Sequence, residues 1–305
     1  MYTDMDKTLR RQLDYAKVWE NTVTALAGYL EKYGLESMVL GISGGIDSTV
    51  VAAIAYEVHR RIGKPLIGLS LMTSTNESCE VTAADYVGCE FCTEFYKREI
   101  TKAYKSVLSQ CCDISEVSNR TSVADGNIKA RLRMIMLYDT ASIRHGIVLD
   151  TDNISEHQLG FWTIHGDESD LSVIAGLWKH EVYEFAQWIL DNKYPASLAL
   201  KESIALVPTD GNGVQTGGDM AQIAPGRTYD DVDDILMTYL EYSRHHPEEY
   251  QTAMDELNTK YGADTVERVI KRHLNSKFKR YHRPFTISTE TGEILQNDGR
   301  PLCSH

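Results

Sequence analysis

Apolar residues recur along this chain in two alternating rhythms. Between residues 7 and 32, Leu9, Leu13, Ala16, Val23, Leu26 and Leu30 fall three or four apart, the spacing that lays an apolar stripe along a helix. Met38-Val39-Leu40 then reads as a buried strand over 37–43. A buried helix starts near Asp47 and runs through Thr49-Val-Val-Ala-Ala-Ile-Ala-Tyr56, and a second strand over 65–72 closes on Thr73-Ser-Thr-Asn76. A helix at 77–88 and a strand at 93–99 come next. Residues 124–144 predict a helix with Ile128, Leu132, Ile135, Met136 and Ile143 on one side, and 146–150 predicts another short buried strand. Strands alternating with helices predict an α/β fold, a doubly wound parallel sheet with helices on both faces. Ligands bind such sheets at the carboxyl ends of the strands, so 41–48, 70–76 and 150–156 are expected on one rim.

The last third changes character. Residues 192–228 are rich in Gly, Pro, Thr and Asn and read as a mobile lid loop, with 209–218 its most glycine-rich part. Three helical stretches follow, near 229–244, 247–260 and 263–282, so the sheet is expected to carry a helical C-terminal elaboration over 229–283. The whole of 1–305 is expected as a single domain.

Composition narrows the partners. A net charge of −13 disfavours a nucleic-acid partner, which calls for a basic face, but leaves small phosphate-bearing substrates open. The N-terminus is polar and no run of about 18 apolar residues occurs, so no leader, no membrane span and a cytoplasmic location are expected. Cys79, Cys89, Cys92, Cys111, Cys112 and Cys303 are expected as free thiols; Cys89-Glu-Phe-Cys92 has zinc-like spacing but no second ligand pair.

The chemistry concentrates in Gly41-Ile-Ser-Gly-Gly-Ile-Asp-Ser48. A strand, a glycine-rich turn and a helix start together make an anion site, because free backbone N–H groups and the helix dipole point at the ligand. Gly44 and Gly45 admit the main chain close to a phosphate, Ser43 and Ser48 add hydroxyls, and Asp47 offers a carboxylate for magnesium. The pattern is neither a Walker A loop nor a dinucleotide fingerprint. It resembles the pyrophosphate-binding loop of the N-type ATP pyrophosphatases. Asp150-Thr-Asp-Asn-Ile-Ser-Glu156 follows the later strand; Glu156 is either a second magnesium ligand or a helix-start residue. Lys129, Arg131 and Arg133 alternate along one helix, as a solvated face or with Arg131 forking onto a phosphate or carboxylate.

The motif series Gly-Ile-Ser-Gly-Gly-Ile-Asp-Ser, Asn127-Ile-Lys-Ala-Arg-Leu-Arg-Met, Thr151-Asp-Asn-Ile-Ser-Glu and Tyr229-Asp-Asp-Val-Asp-Asp-Ile-Leu, in that order, resembles the ammonia-dependent NAD synthetases over roughly residues 10 to 285. The resemblance implies an adenine nucleotide alpha hydrolase-like fold, a homodimer, and a ligase that makes NAD from deamido-NAD, ATP and ammonia through an acyl-adenylate, with free ammonia as donor. It implies that Gly41, Ser43, Gly44, Gly45, Asp47, Ser48, Thr151, Lys179 and Thr209 bind ATP, and that Asp47 and Glu156 hold Mg2+. Asn127, Arg131, Asp167, Asp170 and Lys279 would bind deamido-NAD, with Asp47, Lys179 and Asp167 serving catalysis. The chain departs from the family pattern at Ser70, where an arginine is usual, at Asp150 for glycine, at Ile164 for lysine, at Glu168 for glycine, and at Phe278 for histidine. The Pro208-Thr209-Asp210 loop matches only loosely. These departures leave the ATP part intact and fall on the acceptor pocket, so a different carboxylate acceptor, or a weakened nucleotide sensor, stands as the alternative.

Overall fold

The computed structural model describes residues 9–112, 121–206 and 218–280, together with a strand pair at 286–287 and 294–295. Asp14 accepts a hydrogen bond from Lys17 N at 3.1 Å and caps helix α1 (Tyr15–Tyr33). The helix therefore begins later than the apolar spacing alone suggests, and Leu9 and Leu13 precede it. Trp19, Val23, Leu26 and Leu30 form its buried stripe.

The chain then runs β1 (Ser37–Gly41), α2 (Ile46–Ile62), β2 (Leu66–Met72), α3 (Ser78–Phe91), β3 (Glu94–Glu99), α4 (Thr101–Cys112), α5 (Ser122–Ile143), β4 (Gly146–Asp150), α6 (Ile154–Leu159) and β5 (Leu171–Ser172). The sheet order is β3-β2-β1-β4-β5, and every pairing is parallel. Met38 is in register with Leu66 on one side and Ile147 on the other. Winding reverses at β1, so the crevice between the carboxyl ends of β1 and β4 is the switch point.

Burial explains why these strands read as unbroken apolar runs. Met38, Leu40 and Leu149 point into the larger core with α1, α2 and α7 (Lys179–Asn192), while Val39, Ile67 and Val148 point to the opposite face, under Leu132 and Met136 of α5. Ile135 and Ile143 of α5 are 56% and 68% exposed, so its apolar residues do not share one side as the spacing suggests. β3 is the charged, exposed edge strand, a usual defence against pairing with another chain.

The stretch 192–228, expected as one loop, holds two helices: α8 (Leu198–Ala205) and α9 (Gly218–Ile223). Only 207–217 lies outside the described residues. Glu90 of α3 holds the start of α8, taking hydrogen bonds from the Ser197 hydroxyl, Leu198 N at 2.8 Å and Ala199 N at 3.2 Å. Those N–H groups have no partner inside the helix, and a cap so distant in sequence leaves no local signal. The helices α10 (Tyr229–His245), α11 (Tyr250–Tyr261) and α12 (Ala263–Asn275) build a second core around Leu159, Trp178 and Leu236, and a 3-10 turn at Lys277–Arg280 follows. The last of them ends earlier than expected. Among the described residues no helix is long and apolar enough to cross a membrane.

Candidate active site

The glycine-rich turn between β1 and α2 is packed tightly from behind. Gly44 has φ +84, and a Cβ there would stand 2.6 Å from Ala84 N and 2.8 Å from Glu80 O of α3, so only glycine fits. Ser43 Oγ accepts from Gly45 N at 3.2 Å and lies 3.0 Å from Ser48 Oγ, and the Ser48 hydroxyl also reaches Gly45 O at 3.0 Å. The two serines thereby fold the turn on itself. The N-cap of α2 is Gly45, which offers no side chain to its first-turn amides. Those donors remain for an anion.

Opposite the turn stands a buried ion cluster. Lys179, the first residue of α7 and 3% exposed, donates through Nζ to Asp47 Oδ2 and, at 3.0 Å, to Glu156 Oε1. Asn153 Nδ2 donates to Asp47 Oδ1 at 2.9 Å. Asn153 also caps α6 through Glu156 N at 3.1 Å, while Glu156 Oε2 reaches back to Asn153 N. Burial raises the Glu156 carboxyl to about 7 against the pull of Lys179. Burial alone would depress the Lys179 ammonium, but Asp47 and Glu156 together push it well above its ordinary value. Lys179 Nζ also lies 5.2 Å from the centre of the Tyr229 ring.

A second buried network anchors this cluster. Asp233 of α10 is fully buried and accepts hydrogen bonds from the Ser155 hydroxyl, from His180 N at 3.0 Å and from His180 Nδ1 at 2.9 Å. Ser155 Oγ in turn accepts from Lys179 N at 2.8 Å. Burial works against protonation of His180, and the Asp233 carboxylate overcomes it and raises the imidazole above its usual value. Three helices thus meet on one carboxylate.

The glycine-rich turn and the Lys179 cluster open onto a cleft of about 1310 Å³, larger than the roughly 300–1,000 Å³ that holds a drug-sized ligand, and so roomy enough for two nucleotides. Gly41, Ser43, Gly44, Gly45, Asp47, Ser48, Thr151, Glu156 and Lys179 all line it, and so do Asn127, Asp167 and Lys279. Asp167 accepts from Thr163 N at 2.7 Å, and the Thr163 hydroxyl donates to Asn127 Oδ1 at 2.7 Å. Lys279 Nζ donates to Gly160 O at 2.7 Å and to Trp162 O. Two expected residues stand elsewhere. Arg131 is exposed and donates to Ile164 O at 3.1 Å, while Asp170 takes the Tyr138 hydroxyl at 3.0 Å and Val148 N at 3.2 Å, bracing β4. Thr209 lies outside the described residues.

Among the departures from the family pattern, Ser70 is buried in the cleft wall and Phe278 is 52% exposed. Asp150 accepts the Ser172 hydroxyl and so ties β4 to β5. Sequence reasoning missed Asn153, His180 and Asp233 as site residues, although Asn153 and Asp233 sit inside motifs already singled out. Buried polar positions flanking Glu156 and Lys179 were the available signal.

A glycine-rich turn with free helix-start amides and a buried ion cluster, meeting at the switch point of a parallel sheet, define an α/β fold of the kind that works on nucleotides. The family model described as NAD synthase matches residues 18–283, and the chain belongs to that family. It is 34% identical to the NH(3)-dependent NAD(+) synthetase of Mannheimia succiniciproducens over 61% of this chain and 74% of that one. With the enzyme of the same name from Alkaliphilus metalliredigens it shares 30% identity over 73% of this chain and 87% of the other. Among solved structures, the NMN synthetase of Francisella tularensis superposes with a TM-score of 0.70 at 27% identity, covering 90% of this chain and 98% of that one.

Proposed function

We propose that this chain makes NAD by amidating deamido-NAD with ammonia, driven by cleavage of ATP to AMP and pyrophosphate. Family membership supports the reading. The observation that carries it in this chain is the Lys179 ammonium, buried between Asp47 and Glu156 at the mouth of the phosphate turn. A nicotinate carboxylate oxygen attacks the α-phosphorus, the bond to the β-phosphate oxygen breaks, and pyrophosphate leaves. Ammonia then attacks the acyl carbon, and AMP leaves with its oxygen. The Gly44 and Gly45 backbone and the Ser43 and Ser48 hydroxyls hold the departing pyrophosphate, and Lys179 neutralises its charge. Asp167, which lines the cleft, is the residue assigned in this reading to take the proton ammonia must lose.

The donor set fits magnesium, because Asp47 and Glu156 already converge on one cation and Mg2+ takes few protein oxygens, completing its shell with phosphate and water. When bound there, the ion would neutralise charge on the leaving group. Exposed Ile135 and Ile143 on α5 support pairing of two copies through that helix. The free thiols of Cys79, Cys89, Cys92 and Cys111 suit a reducing cytoplasm.

One observation favours a second reading of the acceptor. The Francisella tularensis relative is named for the mononucleotide product, and Ile164 and Ser70 depart from the dinucleotide-forming pattern. The acceptor would then be nicotinate mononucleotide, with the same chemistry at phosphorus and carbon.

The test measures pyrophosphate release from ATP with magnesium and ammonium, without acceptor, with deamido-NAD, and with nicotinate mononucleotide, while following the amide formed. The expected result is release that needs an acceptor and equals amide formed, with the higher kcat/KM on deamido-NAD. A higher value on the mononucleotide selects the second reading. Failure of both acceptors sinks the assignment.

A further inference from the structure

Lys129, Arg131 and Arg133 belong to one helix, α5, but turn to different tasks. Residues two apart on a helix point to nearly opposite sides, and residues four apart share one. Arg133 accordingly faces β2, and Lys129 the segment just after it. Lys129 is 5% exposed and donates through Nζ to Thr75 Oγ1 at 3.0 Å, with the Tyr104 ring centre 5.3 Å away. Arg131 turns outward to the Ile164 carbonyl.

Arg133 turns into the cleft. Its Nε donates to Leu71 O at 3.0 Å, next to the small buried Ser70 on the same wall. A guanidinium carries five N–H donors. Among the described residues, neither terminal nitrogen of Arg133 has a hydrogen-bond partner, and no carboxylate lies within ion-pairing distance. Asp167 and Glu80 attract it only from further off, and burial pulls its pKa below the ordinary value. The bond at Nε holds the guanidinium against the β2 wall, and Arg133 lines the same cleft as Asn127, Asp167 and the glycine-rich turn. A fork with fixed orientation matches two oxygens of a carboxylate or phosphate, which a flexible ammonium does not. A cation kept in a cleft wall without a protein counter-ion costs stability unless a ligand supplies the anion.

We propose that Arg133 is a substrate-binding residue whose two terminal nitrogens grip an oxyanion of a bound substrate, a carboxylate or a phosphate, against the β2 wall of the cleft. The inference rests on the reading of this cleft as the substrate site. It assigns to the inward cation of α5 a role that the motif reading gave to its exposed neighbour.

The experiment compares wild type with Arg133→Gln and Arg133→Lys. It measures thermal unfolding without ligand, with magnesium-ATP, and with each nicotinate acceptor, then KM and kcat for each substrate. The expected result for R133Q is an unliganded Tm unchanged or raised, with kcat/KM for one substrate lower by at least about tenfold. R133K should recover only part of that loss, because it restores charge but not the fork. Loss of the magnesium-ATP shift, with ATP KM raised, identifies a phosphate of ATP; loss of the acceptor shift identifies the acceptor's anion. A lower unliganded Tm with both shifts and both KM values kept would make Arg133 a brace for the Leu71 carbonyl and overturn the proposal. Full activity in R133Q would do the same. If wild type amidates neither acceptor, the functional reading fails separately, and the magnesium-ATP shift alone decides Arg133: its loss in R133Q supports the proposal and its retention overturns it.

Discussion

Asn153 donates its side-chain amide to Asp47 at 2.9 Å, joining the turn after β4 to the first turn of α2 across the switch point of the sheet. The same side chain caps α6. The two tasks separate by substitution. Asn153→Ser keeps a good cap but cannot reach Asp47, so it should lower kcat/KM for ATP by at least about tenfold with little change in Tm. Asn153→Ala should show that loss and also lose about 1 kcal/mol of stability. Normal kinetics in the serine variant would mean that Asp47 needs no orienting partner.

Lys179→Met leaves Asp47 and Glu156 facing each other without the cation that joins them. Removal of one partner from a buried ionic cluster costs about 3–5 kcal/mol, which urea unfolding without divalent ions would read. Magnesium should return part of that stability by replacing the lost charge, while activity stays lost. An unchanged midpoint without metal would show that the cluster does not hold these helices.

Asp233→Ala strips three hydrogen bonds at once from Ser155 and His180. The expected cost is about 3 kcal/mol, because buried donors are left without partners. Asp233→Asn keeps the shape and should cost less. Equal, small losses in both would place the anchoring of α7 elsewhere.

Acid sensitivity is expected from His273 on α12, 5% exposed with its ring Nδ1 3.1 Å from Gln158 O. Burial first, then Arg280, Arg244 and Lys277, push its pKa from 6.5 down to about 4. The folded state therefore binds the proton less readily than the unfolded state. The stabilisation is complete above pH 6.5 and is lost as pH falls towards 4. Unfolding midpoints across that window should drop more steeply for wild type than for His273→Gln. Parallel profiles would show that other groups carry the acid sensitivity.

The alternating rhythms were enough to read the parallel sheet and the glycine-rich turn after β1, because each rests on local spacing. Glu156 was open to two readings, and the structure shows it both closing the capping box at the start of α6 and meeting Lys179 beside Asp47. What stayed hidden depends on partners far apart in sequence. Glu90 starts α8 from 107 residues away, and Asp233 reaches His180 across 53. Direction around a helix was the other blind spot. Arg131 and Arg133 look equivalent in the motif, and only the packing of α5 on the sheet turns the second one inward.

Helix α3 touches two things that the chain order keeps apart. Its backbone at Glu80 and Ala84 backs Gly44, and its Glu90 holds the first turn of α8. The start of α8 is thereby held by the same helix that backs the glycine-rich turn. Changes along α3 that shift its axis would move both landmarks together and keep their separation. Changes at Glu90 alone would let one drift while the other stays.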